Sequence, residues 1–164
     1  MRINMKTLTT LIAVRDMEKS LKFYHDILEQ DVRDDFGTNK VLSGGLCLQT
    51  LSSWATFINR EESGISFGGG EFELYFETDD MEAFAEKLEA YGGISYVHPV
   101  SMQSWGQRSI RIYDPDNHII EIGENMDMVV SRIFGELGTI ELAAARMDVS
   151  PEYVRVALAR VQKN

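Results

Sequence analysis

The feature that most restricts this chain is an internal repeat. Asp16-Met17-Glu18 returns as Asp80-Met81-Glu82, 64 residues on, and Leu46-Cys47-Leu48-Gln49 lines up with His118-Ile119-Ile120-Glu121 at an offset of 72. Each copy reads as strand, helix, then three strands. In the first, Leu8 to Val14 is β-rich and Asp16 is placed to cap a helix through Leu28, with Leu21, Tyr24 and Leu28 on one face. Strands are expected at 32–36, 40–43 and 46–51, followed by a short helix that Ser52 or Ser53 would cap and that carries Trp54. Gly64 and Gly68-Gly69-Gly70 mark a loop. The second copy begins with the strand at 71–78. A helix capped by Asp80 follows and ends at Gly92-Gly93, then a strand from Ile94 to Val97, where His98-Pro99 forces extended backbone. A repeat of this size fixes the architecture: an α+β fold of two strand–helix–three-strand units, 6–59 and 71–125, whose sheets could lie side by side and curl around a shared cleft.

The second copy ends in a hairpin. Ser109–Tyr113 and His118–Ile122 are rich in β-formers, and Asp114-Pro115-Asp116-Asn117 between them has turn chemistry. Glu121 lies between Ile120 and Ile122. Side chains alternate along a strand, so Ile119, Glu121 and Gly123 share one face. An enclosed carboxylate there needs a partner, a metal or water.

Charge and composition narrow the function. The net charge of −10 over 164 residues argues against phosphate-driven nucleic-acid binding. One cysteine, Cys47, forms no internal disulfide. No secretory signal is visible, and no apolar run approaches the roughly 20 residues of a membrane span. A cytoplasmic protein is expected.

Residues 126–164 differ from both copies. Three helices are expected, from Met126 to Glu136, Thr139 to Met147 and Pro151 to Val161, with Thr139 and Ser150 as caps. The last two have helix-turn-helix character. Five basic residues balance five acidic ones in this stretch, so it is a poor DNA binder, and a helical cap burying Val129, Ile133, Phe134, Leu142, Val154 and Leu158 is the preferred reading.

The segments VRDMEKSLKFYHDIL, ELYFETDDMEAFAEKL and YDPDNHIIEIGE together resemble the vicinal oxygen chelate superfamily, which includes glyoxalases, bleomycin-resistance proteins and extradiol dioxygenases. The helical tail and the WGQR stretch resemble a bacterial subgroup of it. The resemblance covers residues 6–125 and implies paired βαβββ modules, a small-molecule ligand and a homodimer. Its metal ligands sit on the first and last strands of each module. Here those positions fall on Thr9 and Gln49, and on Glu73 and Glu121, so the usual histidines are missing. Gln49, Glu73 and Glu121 would be an all-oxygen set, suited to Mg, Mn or Ca; Ni and Zn normally take imidazole or thiolate. The residues favour loss of the metal over its retention, and no cofactor is specified.

The remaining candidates are ligand-binding. Trp105 and Trp54 could wall a pocket, Arg108 could hold an anionic group, and His98 could act as a general base. Trp54, Trp105 and His98 each have a structural alternative, favoured for Trp54 and His98; Arg111 is expected to pair with a surface acid, His25 and His118 to be exposed, and Tyr75 to lie off the cleft wall that Glu73 lines. Three functions remain open: a binding protein of the bleomycin-resistance type with its ligand between the modules; a metal-dependent glyoxalase-type lyase or isomerase with Glu121 or Glu73 moving a proton; and a ligand-sensing regulator using the tail.

Overall fold

The computed structural model describes residues 9–161. Leu8 lies outside them. The chain divides into two compact units, one comprising residues up to Gly69 with Asp114–His118, the other comprising Gly70–Tyr113 and the chain from Ile119 onward.

In the first unit, β1 (Leu11–Val14) leads to α1 (Met17–Leu28), then β2 (Val32–Asp35), β3 (Asn39–Leu42) and β4 (Cys47–Thr50). The sheet order is β1-β4-β3-β2, with β1 and β4 parallel. α1 starts where expected, because the Asp16 carboxylate accepts from Lys19 N at 3.0 Å. It buries Phe23, Tyr24, Ile27 and Leu28. α2 (Leu51–Phe57) begins earlier than expected. Thr50 is its N-cap, without a side-chain cap bond, and Ser53 instead bonds Thr50 O from inside the helix.

The turn Asp114–His118 is tightly specified. The Asp114 carboxylate accepts from the backbone N–H of Asp116 and of His118, each at 2.9 Å, and from His118 Nδ1 at 2.8 Å. Tyr24 Oη donates to the same carboxylate at 3.0 Å. Burial first, and then Asp114, push the Tyr24 phenol well above its ordinary pKa. Asp116 takes Arg15 through its backbone N–H and its guanidinium, both at 3.1 Å. His118, expected at the surface, is buried, because Asp114 four residues earlier turns back to meet its ring.

The second unit repeats the topology: β5 (Glu73–Thr78), α3 (Met81–Tyr91), β6 (Ser95–Met102), β7 (Arg108–Tyr113) and β8 (Ile119–Glu124), in sheet order β5-β8-β7-β6. Asp80 caps α3 as Asp16 caps α1, accepting from Ala83 N at 2.9 Å. β6 continues through Pro99, where the sequence implied an end. Its pairing with β7 is broken by two irregularities, from Tyr96 to His98 and from His98 to Ser101, and proline is tolerated at such breaks. One face of the sheet carries Ile110, Ile112, Ile120 and Ile122, all buried.

The tail forms α4 (Met126–Leu137), α5 (Ile140–Met147) and α6 (Pro151–Val161) around a core of Val129, Val130, Ile133, Ala143, Ala144, Met147, Val154 and Ala157. Thr139 and Ser150 act as caps, accepting from Leu142 N and Tyr153 N. Leu142 does not join the core and is 54% exposed. α5 buries its alanines instead, which lets the helices approach closely. Arg132 donates to Gly106 O at 3.0 Å and Arg146 to Ser104 O at 2.6 Å, so two tail arginines hold the loop before β7. No described helix is long and apolar enough to cross a membrane.

Candidate functional site

Strand register assembles the site in the second unit. Tyr75 of β5 lies opposite Glu121 of β8, and Arg111 of β7 lies opposite Glu121 on its other side. His98 of β6 is paired with Arg111. Residues two apart share a face, so Glu73, Tyr75 and Glu77 stand beside Glu121, Arg111 and His98.

Arg111 is the centre of this group. Its Nε donates to Glu73 Oε2 at 2.9 Å and its Nη2 to Glu121 Oε2. Its Nη1 lies 3.1 Å from His98 Nε2. A guanidinium has no acceptor, so Nε2 accepts, and Nδ1 carries the hydrogen that points to Pro99 O at 2.8 Å. The two carboxylates differ. Glu121 is 4% exposed, and burial, followed by its hydrogen bond with Glu73, raises its pKa above the ordinary value. Glu73 is held below its ordinary value, chiefly by its hydrogen bond from Arg111. Two neighbouring carboxyls with environments that separate them are a common acid–base arrangement.

Tyr75 borders the group. Its hydroxyl donates to Glu77 at 2.9 Å and accepts from Gln107 Nε2 at 2.8 Å. Burial pushes the phenol up to about 12, so it stays protonated at neutral pH. Gly123 of β8 makes room for this contact. A Cβ there would collide with Gln107 Nε2 and come within 2.9 Å of Tyr75 Oη.

The other candidates lie elsewhere. Arg108 is on the opposite face from Glu121. Its side chain and backbone N–H are committed to Glu124, and its guanidinium also to Glu82. Trp105 lies in the loop before β7 and donates through Nε1 to Gln107 Oε1 at 3.1 Å. Gln49 and Trp54 belong to the first unit. Gln49 occupies the place that Glu121 has in the second, opposite the first strand at Ala13. It is 2% exposed; its Oε1 accepts from Asn39 at 2.8 Å and its Nε2 donates to Ser53. Thr9, just before β1, bonds the carbonyls of Thr10 and Gly45. Arg111 and Tyr75 are the members that sequence reasoning undervalued. Tyr75 was expected off the wall that Glu73 lines, but residues two apart on a strand return to the same side and the two share a face; choosing Glu121 as the partner of Arg111 needed the β7–β8 register.

The residues do not fit a divalent ion. Glu73 and Glu121 direct their oxygens at a guanidinium already among them, and the Gln49 amide is used at both ends. Among the described residues, no group of three or more His, Cys, Asp or Glu could hold a metal.

Comparison with known proteins agrees with the fold. Residues 7–127 match the glyoxalase-like domain family. A crystal structure of a protein of unknown function from Agrobacterium tumefaciens is 31% identical, with a TM-score of 0.66 over 76% of this chain and 97% of that one. A glyoxalase-related enzyme from Fulvimarina pelagi is 18% identical, TM-score 0.62, over 74% and 88% of the two chains. A glyoxalase/bleomycin resistance protein/dioxygenase from Nocardioides is 18% identical, TM-score 0.60, over 75% and 85%. No curated protein matches. With two βαβββ units in the same strand order and a family match across most of its length, this chain belongs to the glyoxalase-like domain family of the vicinal oxygen chelate superfamily.

Proposed function

We propose that this protein binds a small organic molecule directly, without a metal, on the sheet face that carries Glu73, Tyr75, His98, Arg111 and Glu121. The observation that carries the reading is Arg111, whose guanidinium supplies the positive charge that two neighbouring carboxylates require. A ligand there meets carboxylate acceptors, an imidazole and a phenol, so hydrogen-bond donors on the ligand are favoured opposite Glu73 and Glu121. Elemental analysis of purified protein, with melting curves in Mg, Mn, Ni or Zn, tests it. No stoichiometric metal and no rise in melting temperature are expected, because an ion that bound the folded state would stabilise it. Arg111→Ala, which frees both carboxylates, should gain metal-dependent stabilisation. A chelator-sensitive stoichiometric ion in the unaltered protein overturns the reading.

The opposed tendencies of Glu121 and Glu73 favour a second reading, proton transfer of the lyase or isomerase type with one carboxyl donating as the other accepts. Under it, Glu121→Gln and Glu73→Gln would each remove turnover while the direct binding of substrate persisted. A homodimer is part of the proposal, and sedimentation equilibrium measures it.

A further inference from the structure

The second unit holds a cavity that the reading above does not use. It has a volume of about 540 Å³, within the range of roughly 300–1,000 Å³ usual for small-molecule sites. Its walls include Trp105, Tyr153, Met126 and Met147. Aromatic rings give area with defined geometry, and methionine adapts to the shape of an occupant. α5 and α6 lie beyond residue 127, where the family match ends, so this site does not come with the glyoxalase-like domain.

Arg146, also on the lining, is the charged group to explain. Each other arginine of the tail meets a carboxylate: Arg132 meets Glu124, Arg155 meets Glu141 and Glu152, and Arg160 meets Asp127. Among the described residues, Arg146 has one hydrogen bond, from Nη1 to Ser104 O, and no carboxylate pairs with it. The rest of its planar fork is available to an anion, which it is shaped to take in bidentate fashion. Asp148 shares the lining with an exposed side chain, which disfavours dianions and limits the match to a single negative group.

We propose that this cavity binds a small aromatic molecule bearing one anionic group, its ring against Trp105 and Tyr153 and its carboxylate on Arg146. The test uses naphthoate and its neutral analogue naphthamide as probes on the full chain. The readout is the indole N–H resonance of Trp105, distinguished from that of Trp54 by the Trp54→Phe variant. Naphthoate should shift the Trp105 resonance saturably, and naphthamide should bind about tenfold more weakly. Arg146→Gln should bring naphthoate down to the level of naphthamide, and Arg146→Lys should recover part of the difference. Ser104→Phe, which fills the cavity from an exposed position, should remove both responses while amide dispersion stays native. Absence of a saturable shift, equal affinity for the two probes, or unchanged naphthoate binding in a folded Arg146→Gln protein overturns the proposal.

Discussion

Glu121 loses hydration when its strand packs, and Arg111 offsets that loss only in part; its pKa still rises. The pH dependence follows. A carboxyl whose folded pKa is raised contributes stability at low pH, and that contribution disappears as pH rises through the folded value. Glu73 has the opposite sign, contributing stability at neutral pH that is lost as pH falls through its lowered folded value. Urea midpoints between about pH 3 and pH 7 should show both trends. Relative to Glu121→Gln, the unaltered protein should lose stability with increasing pH. Relative to Glu73→Gln, it should lose stability with decreasing pH. Gly123 is the other informative position. Gly123→Ala should push Gln107 away from Tyr75 and destabilise by about 1–3 kcal/mol. Its signature would be a Tyr75 titration displaced from about 12.

Elements show where sequence was sufficient and where it was not. The helix starts at Asp16 and Asp80 were legible because a cap is a local event, one carboxylate and a backbone N–H three residues on. The Glu121 face was legible from alternation. Arg111 was not, since its partner depends on how β7 slides against β8, and sequence distance does not encode that. Leu142 was misplaced because it is apolar at helical spacing, whereas the tail core is built on Ala143, Ala144 and Met147. His118 was misplaced because burial of a polar ring depends on a partner, here Asp114. The loop before β7 is tightly constrained. Gly106 has φ +95°, and a Cβ there would stand 2.7 Å from Ile133 Cδ1. Gly106→Ala should cost about 1–3 kcal/mol by urea denaturation. Adding Ile133→Val removes the clash but not the backbone strain, so the double variant should recover part of the loss as a non-additive term.

At the scale of the molecule, charge separates functions that the fold leaves open. The chain carries −10, and of the described tail arginines only Arg146 meets no described carboxylate. Nucleic-acid affinity grows with the number of phosphates neutralised. The helix-turn-helix character of α5 and α6 should therefore not translate into DNA binding. Gel-shift assays at low and at physiological salt should show no retention, with or without naphthoate. Retention that weakens steeply with salt would restore the regulatory reading.

Gln107 uses its side-chain amide completely, accepting from the Trp105 indole and donating to the Tyr75 phenol and to Glu124 O. Two rings in separate neighbourhoods are thus aimed by one planar group, and neither can swivel without the amide following. Fluorescence anisotropy decay of Trp105 would therefore register a disturbance at Tyr75. Gln107→Met, similar in length but without the hydrogen bonds, would leave each ring to find its own orientation.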